Sequence, residues 1–381
     1  MRPALGLACA AAVSLGLARF SYALLLPPMR ADLHWSYLTA GAMNTANAAG
    51  YLCGALAAPR VLARRDARQV LLAGGAVAAL LLALHAVATS DAVLFLLRWL
   101  TGVASAASFV SGGLLAARLA QSAQGRVSPG LVLGLYYGGT GLGIVLSALL
   151  VPPLAAQAAA GWRLAWGGLA VAASISTLAT AMTTRALHAP PSGAATHAPA
   201  AWAPMRWALA GYLMFGLGYI GYMTFVVTLL REQHLSEGQV VGFYALVGAG
   251  VMLSSRLWAG LLQRARGGQA LALLNGLLAV ATVLPVVWPQ PWVAMVSGAL
   301  FGSVFLSVVA STTAWVRHNL APAAWSAGIA AFTIVFAAGQ IVGPSLVGWL
   351  ADGPGGLARG FLGSAAVLTL GAAMAARQRA L

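Results

Sequence analysis

Three arginines, Arg19, Arg98 and Arg256, fall inside long apolar stretches of this chain, and no acid accompanies them. All 21 basic residues are arginine, against 6 acids, and Asp32, Asp66, Asp91, Glu232, Glu237 and Asp352 all sit at the edges of apolar runs. A proton relay through apolar surroundings usually needs an Asp or Glu. None is available inside these stretches. The arginines are therefore the groups to explain. Arg19 precedes Leu26, at the end of its stretch, by 7 residues, and Arg98 follows Val93, at the start of its stretch, by 5. At a helical rise of about 1.5 Å per residue these are depths of about 10 Å and about 8 Å. Two cations at similar depth in a low dielectric repel, at a cost of several kcal/mol unless an anion joins them. A ligand carboxylate or phosphate, gripped by a guanidinium fork, answers that need. The competing reading is structural: Arg98 pairs with Asp91 or with backbone carbonyls, and Arg19 snorkels toward Asp32. Arg256 lies one to two turns from the end of its stretch and reads as snorkelling to the headgroups.

Around these cations the polar inventory is short. Tyr22, Tyr219, Tyr222 and Gln340 join Arg19 and Arg98 as candidate substrate-binding residues, each with a helix-packing alternative. His85 is the one histidine inside an apolar stretch, and histidine changes charge near neutral pH, so it is the candidate for proton coupling against a packed neutral imidazole. Gly138, Gly139, Gly143, Gly339 and Gly343, with Pro344, are candidate hinge or gating positions. Small residues at such spacing equally let two membrane helices pack closely. No Gly-x-x-x-x-Gly-Lys phosphate loop and no metal-spaced Cys/His cluster occurs. The chain reads as a non-enzyme with no cofactor and no bound metal.

The elements that must position these residues follow from composition, with 61% hydrophobic and 7% charged residues. Six apolar stretches near 20 residues precede position 187 and six follow position 205, each long enough for about 30 Å of hydrocarbon. A lone strand would leave backbone groups unpaired in lipid, so every span is expected to be helical. The expected fold is an all-α integral membrane protein of 12 transmembrane helices. A shift of 200 residues lays the chain over itself, placing Gly16, Tyr22, Asp32, His34, Ser36, Gly139 and Gly143 on Gly216, Tyr222, Glu232, His234, Ser236, Gly339 and Gly343. So long a period implies two parallel six-helix repeats rather than a solenoid. The repeats are 1–187 and 206–381, joined by a Pro-, Ala- and His-rich linker at 188–205. Tyr219 stands 200 residues after Arg19, so the two halves offer different chemistry, which suits an amphipathic ligand. Of the 21 basic residues, 14 fall in the loops and termini on one side, which places both termini and the linker in the cytoplasm. The formal net charge of +15 then reflects topology and attraction to anionic lipid, not nucleic-acid binding.

Gly16-Leu17-Ala18-Arg19-Phe20-Ser21-Tyr22 running into Leu26-Pro27, then Gly134-Leu135-Tyr136-Tyr137-Gly138-Gly139, Gly161-Trp162-Arg163 and Arg231-Glu232-Gln233 carry a resemblance. The chain resembles the major facilitator superfamily, and within it the YbfB/YjiJ-type branch. The resemblance implies two bundles rocking about a midplane site, with the first and fourth helices lining the central cavity. Arg98 and Gly102 resemble a fourth-helix motif linked to proton coupling in exporters. The glycine-proline motif is broken in the fifth helix, with Gly139 where proline is expected, and has its best copy at Gly339, Gly343, Pro344 and Gly348. The first-loop motif is reduced to Arg64, Arg65, Asp66 and Arg68. The implied function is secondary transport of a small organic anion or amphipathic metabolite across a bacterial inner membrane by alternating access, by a monomer in the lipid bilayer. The alternatives are a proton-coupled drug or metabolite exporter and a membrane receptor or scaffold that kept the fold.

Overall fold

The computed structural model describes residues 1–122, 129–157, 160–190 and 202–381, and every regular element among them is helical. In chain order these are α1 (Arg2–Leu33), α2 (Tyr37–Leu62), α3 (Ala67–Val87), α4 (Asp91–Ser122), α5 (Pro129–Ala155) and α6 (Gly161–Thr183). Then come α7 (Arg206–Glu232), α8 (Glu237–Arg264, broken at Trp258), α9 (Gln269–Val287), α10 (Pro291–Asn319), α11 (Trp325–Ala351) and α12 (Gly356–Ala376). Among the described residues, 11 helices are long and apolar enough to cross a membrane. The exception is α2, where Tyr37, Asn44, Thr45, Asn47 and Tyr51 dilute the apolar run. Most of the expected linker, 191–201, lies outside the described residues.

Helix ends are set by local chemistry. Asp66 caps α3, its Oδ1 accepting from the Arg68 N–H at 2.8 Å. His34 after α1 and His234 after α7 are the two described non-glycine residues with positive φ, at 53° and 62°. Histidine tolerates this left-handed region better than most residues, and the two positions are 200 residues apart. Between α11 and α12 the chain turns on Gly355 and Gly356, with φ of 92° and 56°, a region where a side chain would be strained.

Chain contacts divide the molecule into two compact units. The first comprises Met1–His34, Ala46–Ala194 and Glu237–Met252, and the second Trp35–Thr45, Ala195–Ser236 and Leu253–Leu381. Helices α2 and α8 are each shared, contributing one end to each unit.

Backbone crossings at glycine hold the units. In the first, α1 meets α5: a Cβ on Gly143 would lie 2.8 Å from the Gly16 Cα, and one on Gly139 would run into the Ala8 carbonyl. In the second, α7 meets α11 the same way, with a Gly339 Cβ 2.6 Å from the Leu213 carbonyl and a Gly343 Cβ 2.6 Å from that of Leu217. Such approach is how membrane helices gain dispersion energy without a hydrophobic driving force. The opposite faces are apolar and open. On α6, Val171, Ile175, Leu178 and Met182 form one stripe, each 58% exposed or more, a patch that in water would invite aggregation and in a bilayer meets acyl chains. Cys53 is exposed on α2.

Candidate functional site

Arg19 owes its position to an irregular helix. From Ala12 to Phe20, α1 is wound as a π-helix, and at Ser21 it returns to α geometry. Runs of π-helix are rare and cluster at functional sites, because the change of ladder frees backbone groups and turns side chains. Here the last π turn has three carbonyls taken by side chains. Ser21 Oγ donates to Leu17 at 2.6 Å, Arg98 Nη1 donates to Ala18 at 2.9 Å, and Tyr244 Oη donates to Phe20.

Arg98, fully buried, is thus tied to α1 by its own fork. Its guanidinium also lies 4.9 Å from the Tyr22 ring centre and 5.8 Å from that of Trp166, within cation–π range. Asn47 Nδ2 donates to the Arg98 carbonyl at 3.0 Å, and Gly102, one turn on, sits against the Asn47 carbonyl. Arg19 is different. It is 3% exposed, its guanidinium lies 5.3 Å from the Tyr51 ring centre, and its Nε and Nη2 have no hydrogen-bond partner among the described residues. Arg98 stands close by, its Nη1 bonded to the carbonyl of Ala18, the residue before Arg19. Asp32, the expected partner for a snorkelling Arg19, instead accepts from Trp162 Nε1 at 2.7 Å.

His85 belongs to the same cluster, stacked on Trp166 at 4.4 Å with Nδ1 2.7 Å from the Leu81 carbonyl. The second unit holds the other polar candidates. Gln340 Nε2 donates to Tyr219 Oη, and Tyr219 belongs to a ladder of rings with Phe215 and Phe336. Tyr222 bonds Ser297 Oγ at 2.6 Å and lies flat on Phe301 at 4.0 Å.

A family model described as "Uncharacterised MFS-type transporter YbfB" matches residues 11–376. The chain belongs to this family of major facilitator superfamily transporters. Its fold is shared with solved transporters of low sequence identity. The nucleoside transporter NupG, as a D323A mutant, aligns with a TM-score of 0.74 at 16% identity, covering 98% of this chain and 99% of that one. A bacterial homologue of the human lysosomal transporter Spinster, inward-facing and unoccupied, gives 0.73 at 13% identity over 98% and 95%. A POT family transporter in complex with 5-aminolevulinic acid gives 0.76 at 11% identity over 97% and 94%. No curated protein sequence matches. The protein is therefore a multi-pass membrane transporter.

Within this YbfB-family chain, the residues singled out by type and spacing fall into two clusters. Arg19, Tyr22, Arg98 and His85 gather in the first unit, and Tyr219 and Gln340 pair in the second, with Tyr222 packed nearby through Phe301 and Phe305. Gly139, Gly143, Gly339 and Gly343 are backbone contacts, and Pro344 presses its carbonyl on Gly41. Gly138 is not close-packed, since its Cβ would have no neighbour nearer than 3.8 Å. Arg256 is exposed on α8. Three site residues escaped sequence reasoning: Tyr51 beneath Arg19, Trp166 between Arg98 and His85, and Tyr244 on the π segment. Tyr51 had a signal, because Asn44, Asn47 and Tyr51 recur at helical spacing as one polar stripe on α2. Trp166 and Tyr244 had none beyond being aromatic.

Proposed function

We propose that this YbfB-family protein is a secondary transporter for a small organic anion or amphipathic metabolite, working by alternating access. The observation that carries the proposal is Arg19: a buried guanidinium with two nitrogens lacking hydrogen-bond partners among the described residues, near a second arginine. An uncompensated buried charge costs several kcal/mol. A carboxylate or phosphate docking on Nε and Nη2 would remove that cost through a bidentate pair. Arg98, held by Ala18 and Tyr22, acts in this reading as the brace that keeps the π segment in shape. Tyr51 walls the anion site, and in the second unit Tyr219, Tyr222 and Gln340 remain the proposed substrate-binding residues.

Twelve membrane-spanning helices in two parallel repeats complete the proposal, with both termini on the cytoplasmic side of a bacterial inner membrane. The recurrence of the glycine crossings and of the left-handed histidines at 200 residues supports the repeats. The arginine bias of the loops supports the orientation.

The test is a thermal-shift screen of the detergent-purified protein against anionic, neutral and cationic metabolites, since any binder stabilises the native state by mass action. Stabilisation confined to carboxylates or phosphates, and lost in Arg19→Gln, is the expected result. Hits among neutral or cationic compounds, or unchanged binding by a folded Arg19→Gln protein, would make Arg19 structural and end the anion assignment.

A further inference from the structure

Away from the arginine cluster, the first unit carries a groove of about 500 Å³ between the end of α2 and the facing sides of α3 and α4. Ala73, Gly74, Val77, Leu81, Val103 and Ala107 are among the apolar residues that line it. At one end only, the lining turns polar, with Arg65 and Gln69. From Gln69 to Leu81 the groove follows α3 for 12 residues, about 18 Å at the helical rise. One leaflet of a hydrocarbon core about 30 Å thick is about 15 Å deep, so the groove runs the depth of one leaflet.

The charge at its mouth is uncompensated. Asp66, the neighbouring acid, is committed to backbone: Oδ1 accepts from Arg68 N–H at 2.8 Å and Oδ2 from Ala189 N–H at 2.9 Å. Arg68 reaches the other way, Nη2 donating to the Ala181 carbonyl at 2.9 Å. Arg65 is exposed, and its side chain makes no hydrogen bond or ion pair to a described residue, with Arg64 and Arg60 exposed beside it. An apolar slot one leaflet deep, headed by an unpaired guanidinium and an amide, has the shape and polarity of a single lipid molecule.

We infer that this groove is a binding site for an anionic phospholipid. One acyl chain lies along Ala73, Val77 and Leu81, the phosphate pairs with Arg65, and the Gln69 amide donates to the phosphate or the glycerol ester. The chemistry of the occupant is fixed by both ends: the walls reject a water-soluble phosphate, and the guanidinium separates anionic from zwitterionic lipid. The site is independent of the transport substrate and of Arg19.

The full-length protein, delipidated in detergent, is titrated with phosphatidylglycerol and with phosphatidylcholine of the same chains, and bound lipid is counted by native mass spectrometry. One basic residue near a membrane surface attracts an anionic lipid about fivefold, so a preference of that order for phosphatidylglycerol is expected. Arg65→Gln removes the preference and leaves phosphatidylcholine binding unchanged. Ala73→Phe, which fills the slot at an exposed position, lowers retention of both lipids. Equal binding of the two lipids by the wild type, or a preference that survives Arg65→Gln, would overturn the site. So would loss of the preference in Arg64→Gln alone, or glycerol 3-phosphate competing as well as the whole lipid.

Discussion

Arg19 and Arg98 are the same residue type at similar depth, and their neighbours make them opposites. Arg98 meets a carbonyl that the π-to-α change leaves open, and an aromatic ring lies beneath its plane. Arg19, one residue beyond that carbonyl, points where no acceptor takes its Nε or Nη2. Arg98→Leu therefore strands the Ala18 carbonyl and is expected to destabilise the protein by about 2 kcal/mol, the loss of a charged buried hydrogen bond, seen as a lower melting temperature in detergent. Arg19→Leu removes an uncompensated charge and is expected to be neutral or stabilising in the absence of ligand. Equal losses in both variants would mean that both arginines are braces. From sequence, the pair was legible as two cations at similar depth in apolar stretches, because charge and depth can be counted. The division of labour was not, because it depends on which carbonyl a side chain meets across a helix crossing. Of the two structural alternatives for Arg98, the carbonyl is the one observed.

At the scale of elements, the apolar stretches were legible because hydrocarbon thickness fixes their length and the missing backbone partners in lipid fix their helicity. The π segment was not legible. Ala12–Phe20 has the composition of any apolar helix, and its winding accompanies the Gly16 crossing and the side-chain donors on its carbonyls. Glycine spacing on α5 was half informative. It located the crossing at Gly139 and Gly143 but included Gly138, and it passed over Gly141, which packs on the backbone of Gly248. The two kinds of glycine make different predictions. Gly143→Ala puts a methyl 2.8 Å from the Gly16 Cα, where backbone must move, and is expected to cost about 1–3 kcal/mol as overpacking, with a matching loss of folded protein. Gly138→Ala meets nothing closer than 3.8 Å and is expected to leave the melting temperature unchanged. If liposome flux falls in Gly138→Ala at constant stability, Gly138 is a hinge. If flux is unaffected, the helix bends elsewhere.

For the whole molecule, alternating access needs a contact that is stable enough to close one side and weak enough to open. A contact of about that strength lies in the second unit, between the start of α2 and the end of α11. Asp352 accepts from both the Tyr37 and the Leu38 N–H, at 2.8 and 2.9 Å, so a carboxylate 315 residues away caps α2. Below it, a Gly348 Cβ would lie 2.9 Å from the Leu38 Cα, and Thr45 Oγ1 donates to the Ile341 carbonyl at 2.7 Å. The repeat in the sequence, which lays halves over one another, could not show that α2 of one half is capped from the other. A helix N-terminus favours a negative charge, and an exposed cap of this kind is worth about 1 kcal/mol, near a fivefold change in an equilibrium. Rocking of the proposed repeats would have to break this cap once per cycle. Asp352→Asn keeps the shape and removes the charge. On the proposed orientation, a thiol introduced by Ala40→Cys, at a buried position one turn into α2, in a background lacking Cys9 and Cys53 is then expected to react about fivefold faster with an impermeant maleimide added from outside. Asp352→Glu, which keeps the carboxylate, recovers part of the protection. Labelling at an unchanged rate in Asp352→Asn would mean that the glycine packing below holds the contact without the cap, and that the gate opens by sliding along Gly41 and Gly348 instead.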